Sequence, residues 1–143
     1  CSARNEELVR SLGADEVIDY TRHDETRLDE RFDVVFDAVA KLTFGRARHI
    51  LKPDGAYVST LPSPALIGWM GLLPILRPFG VRRRASIVLA SPRGEDLAYL
   101  GQLAEQGQLR PVIDRIYPLE EVRLAHEQSQ SGRSRGKIVL RID

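Results

Sequence analysis

Apolar positions along the chain recur at two periods that alternate, one helical and one extended. Leu8, Val9 and Leu12 share a helical face, with Asn5 as the expected N-cap, Glu6 and Glu7 in the first turn and Gly13 as the residue that closes it. A short strand is expected over Glu16–Tyr20, then a polar loop with a short helix over Thr21–Arg31. Asp33-Val-Val-Phe-Asp37 is a continuous apolar run between acids, the pattern of a strand buried on both faces. Behind Thr43, residues Phe44, Ala47, Ile50 and Leu51 return to helical spacing. Lys52-Pro-Asp-Gly55 signals a turn, and Ala56–Thr60 reads as the next strand.

The second half repeats the alternation. Ala85–Ala90 is an expected strand, and Pro92–Gly107 a helix that turns Leu97, Leu100, Leu103 and Ala104 inward. Val112–Tyr117 is extended between Pro111 and Pro118, Leu119–Ser131 is a helix with Val122 and Ala125 on its apolar face, and Lys137–Ile142 is a closing strand. Strands alternating with helices imply an α/β fold, a parallel sheet with helices on both faces. Ligands of such sheets bind beyond the carboxyl ends of the strands, which directs attention to residues 1–5, 19–21, 37–41 and 59–62.

Composition narrows the classes. The 143 residues carry 21 Lys and Arg against 20 Asp and Glu, and a net charge of +1 is no nucleic-acid footprint. A single cysteine, Cys1, excludes a disulfide framework and a cysteine-based zinc cluster. The first twenty residues hold acids and no apolar run, so no secretory signal is read there and a cytoplasmic setting is expected. ALIGWMGLLPIL, residues 65–76, is shorter than the ~20 residues of a membrane span and is interrupted by proline; a buried helix and loop is expected instead. Nine acids lie within residues 15–37, and the Arg82-Arg-Arg84 knot is a candidate to neutralise them.

Few side chains suggest catalysis. His23, His49 and His126 fall in different elements with no metal-ligand spacing, and no metal site is expected. Ser131-Gly-Arg-Ser-Arg135 lacks the strand-to-helix setting of a nucleophile elbow, and no catalytic residue is assigned. At the start, Ser2 and Arg4 offer a hydroxyl and a guanidinium with no acid before Glu6, a pair suited to a phosphate; an ordinary capped helix start is the plainer reading.

Four segments together resemble one family. CSARNEELVRSLGADEVIDY, FDVVFDAVA, LKPDGAYVS and GQLRPVIDRIYPLEEVRLAHEQSQSGRSRGKIVLRI resemble, in order, the nucleotide-binding part of the medium-chain dehydrogenase/reductase superfamily, in its zinc-independent quinone oxidoreductase-like branch. The resemblance covers the chain except for about residues 61–84. It implies NADPH as cofactor, with Ser2 and Arg4 at the adenosine 2′-phosphate and Tyr20 beside the same phosphate or ribose. Asp37, Val39 and Ala40 would lie beneath the nicotinamide-ribose half, with Ala40 where the family usually has glycine. Ser59, Thr60 and Leu61 would line the nicotinamide, and Lys137 would add a cation.

The family's Gly-x-Gly-x-x-Gly loop has no counterpart in the chain. On the resemblance the fold is a Rossmann-like parallel sheet with helices on both faces, truncated at its amino-terminal βα unit, and the chain is expected to start at the end of the second strand. Residues 1–110 would be the partial dinucleotide-binding domain, and 111–143 a segment that in the family returns to the catalytic domain. The expected function is the NADPH-binding portion of an enzyme that passes hydride to a quinone or activated enone, working as a homodimer without nucleic-acid or membrane partners. The alternative is a non-catalytic remnant or dimerisation module of the same fold.

Overall fold

The computed structural model describes residues 1–142. Ten helices and strands alternate among them: α1 (Glu6–Ser11), β1 (Phe32–Asp37), α2 (Phe44–Ala47), β2 (Leu51–Ser59), α3 (Pro64–Leu76), β3 (Arg84–Ile87), α4 (Gly94–Glu105), β4 (Ile113–Pro118), α5 (Val122–Gln130) and β5 (Lys137–Arg141). All strand pairs are parallel, in a three-stranded sheet β1-β2-β3 and a two-stranded sheet β4-β5. The α/β class expected from the alternation is what forms. The chain divides into two compact units, one of Cys1–Ala3 and Glu16–Ser91, the other of Arg4–Asp15 and the chain from Pro92 onward.

In the first unit, β1 and β2 pair from Val34↔Ala56 to Asp37↔Ser59, which brings their carboxyl ends level. The expected turn at Lys52–Gly55 is instead an excursion inside β2, since Phe32 pairs with Leu51 and the ladder resumes only at Ala56. Gly55 is needed there, because a Cβ would stand 3.0 Å from the Phe32 carbonyl oxygen. One core holds the unit: Phe44 and Ala47 of α2, Leu51 and Tyr57 of β2, Leu66 and Leu73 of α3, with Val35, Trp69, Ala85 and Ile87 against them. Phe44 sits at its centre, its ring 5.2 Å from Trp69 and 6.0 Å from Tyr57, centroid to centroid. The helix behind Thr43 closes after one turn, yet its four expected apolar positions, Phe44, Ala47, Ile50 and Leu51, are all buried.

Three expectations for this unit are corrected. Strand β1 is not buried on both faces: α2 and α3 share the Val35 side, leaving Val34 57% and Phe36 60% exposed. Glu16–Tyr20 forms no strand among the described residues. The Cys1 amino group donates to the Ile18 carbonyl (2.8 Å) and Tyr20 N–H donates to the Cys1 carbonyl (3.1 Å), one rung in the parallel pattern. The acids of residues 15–37 are met by other cations than the arginine knot. Asp24 pairs with Arg46 (3.1 Å) and Arg27 (3.5 Å), Asp33 with Lys52 (2.9 Å) and Asp19 with Arg22 (3.6 Å), while Arg83 donates to the Leu51 carbonyl.

Helix α3 is half of what its composition suggests. Ser63 caps it, accepting from Leu66 N–H at 3.2 Å, and Pro64 opens it. Only Leu66 and Leu73 are buried, and Ile67, Ile75 and, beyond the helix, Phe79 are exposed. No helix of the described residues is long and apolar enough to cross a membrane.

The second unit is built on β4, β5 and α5. Tyr117 and Ala125 are its buried apolar residues, and Tyr117 hydroxyl, Gln128 and Asp114 form a chain of hydrogen bonds, with Gln128 Nε2 donating to Asp114 at 2.7 Å. Gly136 is required by close approach: a Cβ would lie 2.3 Å from the Val112 carbonyl oxygen. Helix α1 ends as expected, Gly13 having φ +100°. The Asn5 side chain makes no cap bond, because Ala3–Asn5 already forms a 3₁₀ turn into the helix. The expected inward face of α4 is also corrected: none of its residues is buried, and Leu97 is 72% exposed.

Candidate functional site

The carboxyl ends of β1 and β2 bring six of the predicted residues together: Asp37, Val39, Ala40, Ser59, Thr60 and Leu61. The centre is the Asp37 carboxylate, buried where β1 ends. Its Oδ1 accepts from the N–H groups of Val39 (3.2 Å) and Lys41 (3.3 Å), and Oδ2 from Leu42 N–H (2.8 Å) and the Tyr57 hydroxyl (3.0 Å). One side chain thereby folds the whole segment 38–42 around itself. Ala40 is driven to φ +53°, the left-handed region that favours glycine. From the β2 side, Thr60 N–H donates to the Asp37 carbonyl (3.3 Å) and Thr60 Oγ1 to the Ala38 carbonyl (3.1 Å). Ser59, 1% exposed, donates its hydroxyl to the Leu61 carbonyl (3.1 Å) and so fixes the turn that leaves the strand.

Asp37 and Ser59 thus shape the site, and Val39, Ala40 and Leu61 are its exposed surface, with Thr60 half-buried between them. Burial disfavours the charged form of Asp37. The Leu42 N–H, the Tyr57 hydroxyl and the two further N–H bonds outweigh it, and hold its carboxyl below the usual range. The Tyr57 hydroxyl lies between two acceptors, Asp37 and the Leu42 carbonyl, and shares one proton between them. Burial and the adjacent carboxylate push it up to about 12, so it stays protonated and is a fastener rather than a proton donor. Sequence reasoning missed Tyr57. The signal was present in the period-two pattern, which puts Tyr57 on the same face of β2 as Ser59, the register partner of Asp37.

The other four predicted residues lie elsewhere. Ser2 is half-buried and Tyr20 exposed, on either side of the Cys1 rung in the first unit. Arg4 and Lys137 belong to the second unit. Arg4 is exposed and donates from its guanidinium to the Arg133 carbonyl at 2.9 Å; Lys137 opens β5, its N–H donating to the Val112 carbonyl at 2.7 Å.

Comparison with known proteins agrees with this architecture. A model of the zinc-binding dehydrogenase family matches residues 12–140. A chloroplastic quinone oxidoreductase of Triphysaria versicolor is 31% identical over 98% of the chain and 43% of its own length. A mitochondrial NAD(P)H oxidoreductase of Mus musculus is 34% identical over 99% of the chain and 40% of its own. The structure of a quinone oxidoreductase from Coxiella burnetii superposes with a TM-score of 0.78 at 30% identity, covering all of this chain and 44% of that one. The chain therefore spans about two fifths of the length of these relatives. The residues do not fit the metal in the family's name: among the described residues no three His, Cys, Asp or Glu side chains gather to hold an ion. The 129 matched residues and the shared fold make this chain a member of the zinc-binding dehydrogenase family, within the medium-chain dehydrogenase/reductase superfamily.

Proposed function

We propose that the chain is the nucleotide-holding part of an oxidoreductase that uses NADPH to reduce a quinone or an activated enone. The observation that carries this reading is the Asp37-pinned segment at the level ends of two parallel strands, where α/β sheets bind nucleotides. The donor set is compatible with a dinucleotide. Val39, Ala40 and Leu61 offer an apolar surface beside Thr60, suited to a ring and its ribose; in the first unit Ser2 and Tyr20 offer hydroxyls, and in the second Arg4 offers a cation, the group types a phosphate requires. A bound nicotinamide would supply the hydride. This chain's residues orient it: Asp37 and Tyr57 hold segment 38–42 in place, Ser59 and Thr60 set the second wall, and the exposed apolar side chains exclude water from the ring face. The names of the relatives, quinone and NAD(P)H oxidoreductases, support the substrate class and the cofactor.

The test is turnover by the intact protein, with quinone or enone as acceptor and loss of the reduced nicotinamide absorbance as readout. NADPH should be oxidised with a kcat/KM at least about tenfold that of NADH, a difference of about 1.4 kcal/mol. A preference for NADH would remove the 2′-phosphate assignment of Ser2, Arg4 and Tyr20. Failure to reduce any quinone or enone would end the oxidoreductase reading itself.

A further inference from the structure

Helix α3 carries no charged, amide or hydroxyl side chain from Ala65 to Leu76. Its inner row, Leu66, Trp69 and Leu73, packs on the core of the first unit. On the opposite side Ile67, Gly71 and Ile75 follow one another at four-residue spacing, and the same spacing reaches Phe79 in the 3₁₀ turn beyond the helix. Ile75 is 66% and Phe79 81% exposed. A helix that is apolar all round is normally covered all round. This one is covered on one side only, and the bare row is about 18 Å long at the helical rise per residue.

The independent observation is charge. No acid occurs between Asp54 and Glu95, and the same stretch holds five arginines, Arg77, Arg82, Arg83, Arg84 and Arg93. Arg83 is turned inward and donates to the Leu51 carbonyl at 3.1 Å. Arg77, Arg82 and Arg84 are exposed and join no ion pair among the described residues. An apolar row with unpaired arginines at its end complements an anionic bilayer, which offers acyl chains below a layer of phosphates. A second copy of the chain fits less well. A two-fold contact sets the same patch on both partners, and neither patch holds an acid to meet the arginines. A specific protein partner is fixed in part by hydrogen bonds, for which the outer row offers no side-chain group.

We propose that the outer row of α3, with Phe79 at its end, seats the protein on an anionic phospholipid surface, where Arg77, Arg82 and Arg84 meet the headgroup phosphates. The contact goes beyond the oxidoreductase reading and does not rest on it, and at this face it sets aside the expectation of no membrane partner. Helix α3 is too short to cross a bilayer. A helix lying in the interface does not need to cross: its apolar side enters the boundary of headgroups and acyl chains. The arginine stems lie along that apolar layer while their guanidinium groups stay with the phosphates. Part of the attraction is therefore electrostatic and falls as salt is raised.

Sedimentation of the full chain with vesicles tests the proposal, phosphatidylglycerol and phosphatidylcholine in equal parts being compared with phosphatidylcholine alone. Partitioning should favour the mixed vesicles by at least about tenfold and weaken in high salt. I75S/F79S, at exposed positions, should lower partitioning into the mixed vesicles by at least about tenfold. R82Q/R84Q should weaken it by about fivefold per arginine removed and bring the two kinds of vesicle together. L97S, at an exposed apolar position of the second unit, should leave partitioning unchanged and so separates this face from general stickiness. Binding that ignores lipid charge, survives I75S/F79S or disappears in L97S would overturn the proposal. Absence of vesicle binding would do the same, and self-association removed by I75S/F79S would then assign the face to a second copy of the chain.

Discussion

The two units reach order by different means. In the first, six buried side chains from three elements close one core, and the Asp37 carboxylate organises the adjoining segment with four hydrogen bonds. In the second, Tyr117 and Ala125 are the buried apolar residues, and its longest helix, α4, buries none. The hydrophobic term is roughly proportional to apolar area removed from water. The first unit therefore has a reserve against which a strained site can be held, and the second depends on its β4-β5 ladder and the Tyr117–Gln128–Asp114 chain. The difference teaches where the site's rigidity comes from: Ala40 keeps a left-handed backbone within a segment pinned on Asp37, and Asp37 is in turn held by Tyr57, a residue of the core.

The strongest way to break this contrast is Asp37→Ala, which strands three backbone N–H groups and leaves the Tyr57 hydroxyl with the Leu42 carbonyl as its remaining acceptor. A loss of about 3–5 kcal/mol is expected, read by urea unfolding, with the protection of amides 39, 41 and 42 lost first in hydrogen exchange. Next comes a matched pair of truncations. Leu66→Ala, at a position 4% exposed, should cost about 2–4 kcal/mol, whereas Leu97→Ala, in the uncovered helix, should stay within about 0.5 kcal/mol. Equal costs would mean that α4 is packed in solution.

Smaller again is Tyr57→Phe, about 1–2 kcal/mol, and it carries a pH signature. The folded Tyr57 titrates near 12 instead of 10.0, so its contribution is fully present below pH 10.0 and lost as pH rises through about 12. Phenylalanine should remove that alkaline limb. The acid limb is less diagnostic: Asp37, Asp19 and Asp24 all have lowered values, and each loses its contribution as pH falls below the ordinary carboxylate range. The smallest effect runs the other way. Ala40→Gly should stabilise by about 0.5–1 kcal/mol, relieving the φ +53° strain at some entropic cost in the unfolded chain.

Much of this was legible in the chain, for reasons that also explain the misses. The buried side of β2 and the four apolar positions from Phe44 to Leu51 follow from periodicity, which reports burial directly. Periodicity does not report which neighbour covers a face, hence the errors at Val34, Phe36 and Leu97. Glu16–Tyr20 has strand character in its sequence, but strand character reports a preference and not a partner, and its ladder bonds are the two with Cys1. At the site, the strand-end rule pointed to the segments that hold Asp37 and Ser59 and did not foresee how they are fastened. Their hydrogen bonds run to the protein itself, and the fastener Tyr57 lies twenty residues from Asp37, beyond the reach of local patterns.

Strand β1 is framed by two acids, and both act on the fold itself rather than toward solvent. Asp33 is paired with Lys52 at 2.9 Å, which ties the start of β1 to the excursion in β2. Asp37 is turned inward at the other end and holds segment 38–42 on its two oxygens. The charges that frame this strand are thus spent on shape: one fixes where the ladder enters, the other how the chain leaves it.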